Sequence, residues 1–325
     1  MSLANKTFTR FVGCDVGKTS ISIFDSAGCH QQTVPNDAKS LRAVLRRLDA
    51  ACLVICEATG GYENALLEAC LERGIPAHRA DARKVKAFIR SFGVLGKTDQ
   101  LDAAALSRYG RERWQTLPLW QGCDPAQRQM QALSARRDEL VAMRAAERNR
   151  VAGPQIAASK RVAASIKAII TALTQQIKSI EQSIAEVVAA SEPLRQKVAC
   201  MKTQDGVGIV VARQLCAAVP ELGTMSGKQA AALTALAPHP HQSGQRDGYR
   251  KVRGGRPQVR RILFMAALAV TNCKSGVLKS FYDRLVARGK KKLVALTAVM
   301  RKMIVMLNAK LRDLLRPPAA EAAAT

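Results

Sequence analysis

A chain of 325 residues is long enough for two or three domains. Its 51 Lys and Arg outnumber 25 Asp and Glu, giving a formal net charge of +26. This charge predicts a polyanionic partner, and an aromatic content of 4% argues against stacking platforms for single strands. The sequence shows no signal peptide and no apolar run of about twenty residues. We therefore expect a cytoplasmic protein with reduced thiols and no membrane segment.

Residues 1–120 carry the pattern of an α/β domain. Apolar residues alternate at 21–24, and continuous apolar runs at 11–15 and 53–57 each end on an acid. Alternation is typical of a half-buried strand, and continuous runs are typical of strands buried on both faces. With the helical segments between them, the predicted order is β-β-β-α-β-α-β-α, followed by a helix from residue 99. We expect a mixed sheet with helices on both faces.

Four acids occupy positions where this domain can gather them. Asp15 and Glu57 close two strands, and Asp99 and Asp102 stand three residues apart after a Gly-Lys-Thr turn. If the two strands are neighbours, all four carboxylates can meet at one edge of the sheet. Such a cluster requires cations, and its oxygen ligands suit Mg²⁺ or Mn²⁺ in a two-metal phosphoryl-transfer site. Alternatively, Asp99 and Asp102 are only an exposed acidic helix start.

Residues 121–195 predict a helical linker. A Gly-Cys-Asp-Pro sequence at 122–125 breaks the chain, and long helices follow. Within them, seven apolar residues alternate in steps of four and three: Ile166, Ile170, Leu173, Ile177, Ile180, Ile184 and Val187. This heptad seam predicts a coiled coil, which pairs either within one chain or between subunits.

Residues 196–316 predict a mainly helical domain. Gly206 and Gly208 indicate a turn between helices, which is either like that of a helix-hairpin-helix, whose backbone amides can bind phosphate, or only a tight interhelix turn. Two prolines and a glycine around Ser243 predict a loop, and residues 317–325 are expected to form a disordered tail. His239 and His241 lie near Ser243 without an assigned role.

The excess positive charge belongs to this part of the chain. Residues 126–325 hold 34 basic and 12 acidic side chains, against 17 and 13 in residues 1–125. Dense cations beside a Gly-Gly turn favour contact with nucleic-acid phosphates. Besides the two glycines of the turn, the predicted contacts are Lys97, Arg246, Arg250, Lys251, Arg253, Arg256, Arg260, Arg261, Lys290, Lys291 and Lys292.

The acids also stand in specific sequence contexts. GCDVGK, CEATGGYE and GKTDQLDA resemble the D-E-D-D signature of RuvC-like (RNase H-like) domains in DEDD transposases, the insertion-sequence family numbered one hundred and ten, which includes the pilin-gene invertases. The stretch APHPHQSGQR resembles the second domain of the same family. The resemblance implies a DNA recombinase in which Asp15, Glu57, Asp99 and Asp102 hold Mg²⁺ or Mn²⁺ and Ser243 forms a phosphoserine link to DNA.

The resemblance also implies partners. Donor and target DNA would be joined under the guidance of a structured bridge RNA that the element itself encodes. Two duplexes must be held together for exchange, so we expect a homodimer or homotetramer. The protein would act in the bacterial cytoplasm, associated with the nucleoid when active.

Three other functions agree with parts of the sequence. A Holliday-junction nuclease would use the four acids with water as the nucleophile, and a non-catalytic nucleic-acid binder would need neither acids nor serine. The sequence DVGKT at 15–19 also looks like the first phosphate loop of sugar kinases and actin-like ATPases. That fold requires a second strand-rich half, which residues 126–325 do not predict.

Overall fold

Two units make up the computed structural model of this chain, Met1–Cys123 and Asp124–Thr325. The structure describes residues 7–93, 99–151, 153, 159–243 and 246–316, with the backbone alone for residues 99, 100, 241, 243, 246, 247 and 249. Lys97 and the predicted tail at 317–325 lie outside the described residues. Both long helices of the predicted linker belong to the second unit.

A five-stranded mixed sheet forms the centre of the N-terminal unit. Its strands are β1 (Arg10–Val16), β2 (Ser20–Asp25), β3 (His30–Pro35), β4 (Cys52–Glu57) and β5 (Ala77–Ala80). They stand in the order β3-β2-β1-β4-β5. The pairs β1–β2 and β2–β3 are antiparallel, and β1–β4 and β4–β5 are parallel. The fold is the RNase H-like α/β fold that the sequence predicted.

Helices cover both faces of this sheet. They are α1 (Ala38–Leu45) and α2 (Asn64–Glu72) on one face, and α3 (Ala82–Arg90) and α4 (Asp99–Arg113) on the other. Val54 of the interior strand β4 packs in the first core with Leu66, while Ile55 packs in the second with Leu106. Burial on both faces explains why β4 is apolar almost throughout.

A helical hairpin opens the C-terminal unit, formed by α5 (Pro125–Val151) and α6 (Lys160–Ala190). Arg137 Nε of α5 donates a 2.7 Å hydrogen bond to Glu181 Oε1 of α6. About two turns later in α5, Arg144 lies beside Thr174 of α6. Residue numbers rise along one helix as they fall along the other, so the helices are antiparallel. All seven residues of the predicted heptad seam are buried or half-buried. The pairing in this structure is therefore within one chain.

The rest of the C-terminal unit is mainly helical, as predicted. Its helices are α7 (Glu192–Lys202), α8 (Ile209–Ala218), α9 (Gly227–Leu233), α10 (Pro257–Thr271), α11 (Val277–Ala287) and α12 (Lys292–Leu314). Helix α12 packs against α7, α9, α10 and α11. Its buried Asn308 accepts a 2.9 Å hydrogen bond from the Gly223 amide and donates one of 2.8 Å to the Met225 carbonyl. Within the described residues, no helix combines the length and apolarity needed to cross a membrane.

The predicted loop around Ser243 is wrong. The segment forms an antiparallel hairpin of β6 (Pro238–Ser243) and β7 (Arg246–Val252), with a register shift between His239 and His241. Proline lacks an amide hydrogen, but a two-stranded ribbon leaves one side of each strand unpaired, and a bulge leaves a residue out of the ladder. Pro238 and Pro240 are therefore compatible with pairing here.

Candidate active site and nucleic-acid interface

Asp15 and Glu57 lie on neighbouring parallel strands at one edge of the sheet. Cys14 of β1 stands opposite Cys56 of β4, so the acid that follows each cysteine occupies the next position along its strand. Because side chains alternate along a strand, both acids lie on the face that Ile55 shares with α3 and α4. Both are half-buried.

Helix α4 runs antiparallel to β1 and contacts it at a glycine. Ser107 Oγ donates a 2.8 Å hydrogen bond to the Phe11 carbonyl, near the start of the strand. Closer to the helix start, Ala103 lies against Gly13, so near that a side chain at position 13 would overlap the Ala103 carbonyl oxygen. Only a residue without a Cβ allows this approach of two backbones. The start of α4 is thus directed towards the end of β1.

The first turn of α4 consequently reaches the edge that holds Asp15 and Glu57. Asp102 precedes the contact residue Ala103 and is half-buried. Asp99 is the first residue of the helix, and its side chain lies outside the described part of the chain. The structure thus gathers the elements that carry all four predicted acids at one edge.

The ligands available at this edge are hard oxygen atoms. Cys14 and Cys56, next to the acids in sequence, are buried in the core on the opposite face, and this burial raises the pKa of both thiols. Carboxylates without a thiolate suit Mg²⁺ or Mn²⁺ rather than a softer metal. Among the described side chains, no group of three or more His, Cys, Asp or Glu is arranged to hold a metal ion.

A buried acid that the sequence reasoning did not single out, Glu63, organises the loop after β4. Its Oε2 accepts hydrogen bonds from the Gly61 amide at 2.8 Å, the Thr59 amide at 3.2 Å and the Thr59 hydroxyl at 3.3 Å. Its Oε1 lies 3.6 Å from Arg79 Nη1. These bonds fix the backbone just beyond Glu57. Glu63 is the final residue of the motif CEATGGYE, so that motif was the sequence signal that could have identified it.

Asn36 is another residue that the sequence reasoning did not single out, and it joins the loops that follow β1 and β4. Its Nδ2 donates to the Gly17 carbonyl at 3.0 Å and to the Tyr62 carbonyl at 3.2 Å. These two loops follow the strands that carry Asp15 and Glu57, so Asn36 ties the loops together beyond the strand ends. No local pattern marks an Asn after a strand for this role.

In the C-terminal unit, Ser243 stands at the loop end of a basic hairpin. It is the last residue of β6 and pairs with Arg246, the first of β7. The side chains of both lie outside the described part of the structure, as does Gly244. Beyond them, Arg250, Lys251 and Arg253 are exposed to solvent. The second strand of the hairpin and the turn after it therefore present cations in the segment that follows the predicted nucleophile.

Arg256, predicted to contact nucleic acid, has partners inside the unit. Its guanidinium forms two hydrogen bonds with the Glu221 carboxylate, of 2.6 and 2.8 Å, and a third of 2.7 Å to the Ala218 carbonyl. Its amide also donates to the Leu233 carbonyl at 2.7 Å. The geometry gives Arg256 a structural role, whereas Arg261 is exposed and Arg260 half-buried.

The two glycines of the predicted turn differ in their surroundings. Gly206 has a φ of +79° and packs against α10, where a Cβ would overlap Val270 and Ala266. Gly208 is the N-cap of α8, is exposed and has open space around it. Packing alone thus explains Gly206, while Gly208 leaves the first amides of α8 accessible to an anion.

Three exposed lysines, Lys290, Lys291 and Lys292, stand at the start of α12. The first turn of this helix contains no acid. Cations at a helix N-terminus are repelled by the positive end of the helix dipole. A bound phosphate would relieve this repulsion.

The five-stranded mixed sheet with helices on both faces defines an RNase H-like domain, and acids lie at the ends of β1 and β4 and at the start of α4. Two family models match the chain, a DEDD transposase model over residues 12–153 and the transposase IS116/IS110/IS902 family over residues 198–283. The chain belongs to the IS110 family of DEDD transposases.

Curated relatives agree with this assignment. The pilin gene-inverting proteins of Moraxella bovis and Moraxella lacunata are each 27% identical over 263 residues, which is 80% of this chain and 80% of theirs. An uncharacterized 43.6 kDa protein of insertion element IS110 from Streptomyces coelicolor is 33% identical over 155 residues, 47% of this chain and 37% of its own. Among solved structures, T. thermophilus RuvC in complex with a Holliday junction substrate aligns with 34% of this chain and 99% of its own, at 16% identity and a TM-score of 0.28.

Proposed function

We propose that this transposase cuts and rejoins DNA by a magnesium-dependent transesterification in which Ser243 is the nucleophile. The observation that carries the proposal is the convergence of Asp15, Glu57 and the start of α4 at one sheet edge. Asp15, Glu57, Asp99 and Asp102 would hold Mg²⁺, or Mn²⁺ in its place. The metal would supply polarisation of the phosphoryl oxygens and stabilisation of the negative charge on the leaving oxygen.

The serine step conserves the energy of the broken bond. Ser243 Oγ loses its proton and bonds to phosphorus, and the bond from phosphorus to the DNA 3′ oxygen breaks, so that oxygen takes up a proton. A 3′ hydroxyl of the second strand then attacks the phosphoserine and releases Ser243. No hydrolysis occurs and no nucleotide cofactor is required, which suits recombination.

Single substitutions in the full chain test this assignment. With Mg²⁺ and end-labelled DNA, the wild type should form a protein–DNA adduct that survives denaturant, and Ser243→Ala should abolish it. Asp102→Asn should lower both cleavage and adduct formation by about 100-fold or more, because one of the carboxylates that would hold Mg²⁺ is lost, and with it stabilisation of the transition-state charge. Ser280→Ala and Glu72→Gln, exposed residues of α11 and α2, serve as matched controls.

Two results would contradict the proposal. If Ser243→Ala still cleaves while Asp102→Asn does not, the protein is a nuclease that uses water. If neither the wild type nor the two variants cleave DNA or form an adduct while all three bind it, the protein is a non-catalytic binder. A sugar kinase or ATPase has less support, since the described strands of residues 126–325 form only the β6–β7 hairpin.

The proposed function includes a structured guide RNA and a homodimer or homotetramer. The charge of +26 and the exposed cations of the C-terminal unit support binding of folded RNA through its backbone. RNA that co-purifies with the protein should include sequence from the element's own end, and its removal by RNase should prevent joining to the target. Light scattering of the complex should give the mass of two or four chains.

A further inference from the structure

Helix α3 carries a stripe of cations that the proposed reaction does not yet use. Val85 and Phe88 are buried, and the opposite side exposes Arg83, Lys86 and Arg90. Steps of three and four residues place these three cations on one face of the helix, about one turn apart. Lys84 adds a fourth exposed cation, and the helix itself contains no acid.

The position of α3 connects this stripe to the carboxylate edge. Ala80, the last residue of β5, pairs with Glu57, and α3 begins two residues later at Ala82. The helix packs on the face of the sheet that holds the acids, with the Phe88 ring 5.3 Å from the Tyr109 ring of α4. The cationic stripe therefore begins at the edge where Glu57 lies.

Intramolecular partners do little to neutralise this stripe. Asp81, the N-cap of α3, accepts from the Arg83 amide at 2.8 Å and lies 3.4 Å from the Arg83 guanidinium. Those side chains are 75% and 43% exposed, so the ion pair is largely screened by water. Like charges one turn apart destabilise a helix, and a polyanion along the stripe would remove that repulsion.

We propose that α3 binds the phosphate backbone of the DNA strand that enters the carboxylate edge. This inference rests on the proposed function for its choice of strand, but the contact itself is independent of Ser243. Arg83, Lys86 and Arg90 would each contact backbone phosphates, which fixes the position of the strand without reading its sequence.

Helix α1 offers a closely matched control on the opposite face of the sheet. Lys39, Arg42 and the C-cap residue Arg46 are exposed and have the same spacing as Arg83, Lys86 and Arg90. An exposed alanine follows the middle cation in both stripes, Ala43 in α1 and Ala87 in α3. A photo-crosslinking amino acid at either alanine would report which stripe touches nucleic acid.

The crosslinking experiment uses the full-length protein with Mg²⁺, any co-purified RNA and labelled DNA. The Ala87 probe should crosslink to DNA several-fold more than the Ala43 probe. The inference is overturned if the two yields are equal, or if the Ala87 probe captures RNA instead of DNA.

Charge removal gives a second readout. The triple variant Arg83→Gln, Lys86→Gln, Arg90→Gln should reduce the slope of log affinity against log salt by about 2 to 3, because each lost phosphate contact releases one fewer counterion. The matched triple variant of α1 should keep the wild-type slope. Equal slopes for the two variants contradict the inference.

Failure of this inference is distinguishable from failure of the proposed function. If the wild type forms the Ser243 adduct while the two triple variants show the same salt slope of DNA affinity, only the role of α3 is wrong. If no adduct forms in any protein but the Ala87 probe still crosslinks, α3 binds DNA and the reaction was assigned incorrectly.

Discussion

Gly13 of β1 lies directly against Ala103 of α4, and this contact sets where the helix start meets the sheet. A Cβ at position 13 would overlap the Ala103 carbonyl oxygen and come within 3.0 Å of Leu106 Cβ. Both obstacles belong to one packed helix, so a larger residue at position 13 must displace α4. Since Asp99 and Asp102 are on the first turn of α4, the same displacement moves them away from Asp15.

Gly13→Ala should therefore destabilise the N-terminal unit by about 1–3 kcal/mol through overpacking and also slow DNA cleavage. Both tryptophans, Trp114 and Trp120, lie in this unit, so their fluorescence during urea unfolding reports its stability. Gly110→Ala is the matched control. There the three nearest neighbours of the new methyl group would be side-chain atoms, of the buried Ile55 and of Phe11, rather than backbone atoms, and alanine favours helix over glycine by about 1 kcal/mol. If the two variants lose the same amount of stability and of cleavage rate, the Gly13 contact does not position the start of α4.

Glu63→Gln should weaken the loop beyond Glu57. The glutamine keeps the shape of the side chain but loses the charge that strengthens the hydrogen bonds from Thr59 and Gly61. We expect a loss of about 1.5–3 kcal/mol in the free energy of unfolding and a slower cleavage step. Raising Mg²⁺ should restore part of the rate, because a misplaced Glu57 weakens metal binding, whereas a general loss of folded protein would not respond. Glu72→Gln, at the other end of the helix that Glu63 caps, is the control. If Glu63→Gln cleaves DNA at the wild-type rate at low Mg²⁺, Glu63 does not help to position Glu57.

Buried thiols should make the N-terminal unit less stable at high pH. Burial raises the pKa of Cys14 and Cys56, and raises the pKa of Cys70 to about 12. Above the ordinary thiol pKa, the unfolded chain releases protons that the folded chain retains, so stability falls as pH rises. Each thiol contributes about 1.4 kcal/mol per pH unit in that range.

The urea midpoint from tryptophan fluorescence should fall between about pH 8 and pH 10.5. In Cys70→Ala the absolute stability drops because a cavity forms, but the midpoint should change less steeply with pH. Replacement of the exposed Cys29 by alanine should leave the pH dependence unchanged. A wild-type pH dependence in Cys70→Ala would contradict this explanation.

Arg256 and Arg253 should separate stability from nucleic-acid binding. Arg256→Gln breaks the paired hydrogen bonds to Glu221, and we expect it to destabilise the C-terminal unit by about 1 kcal/mol, a small value because both side chains are about a third exposed. Arg253→Gln removes an exposed cation and should weaken DNA binding with little change in stability. Hydrogen exchange at the Arg256 amide, which donates to the Leu233 carbonyl, measures the change in stability. A salt titration of DNA affinity measures the change in binding. The reverse pattern would support Arg256 as a direct nucleic-acid contact.

The sequence by itself determined the order of elements in the N-terminal unit and the positions of its acids along them. Apolar runs at β1 and β4 and the alternation in β2 reflect burial of each strand, which is a property of short stretches of chain. Asp15 and Glu57 could be placed at strand ends for the same reason. Their contexts were specific enough to predict the family that the two family models identify.

Only the tertiary structure decided the direction of α4 across β1, the joining of two loops by Asn36, and the partners of Arg256. It also decided that the proline-rich segment before Ser243 is a strand. Each of these depends on a contact between residues far apart in the chain, such as Gly13 with Ala103 or Arg256 with Glu221. A local pattern records how strongly each segment is buried, but it does not record which distant segment supplies the burial or the hydrogen-bond partner.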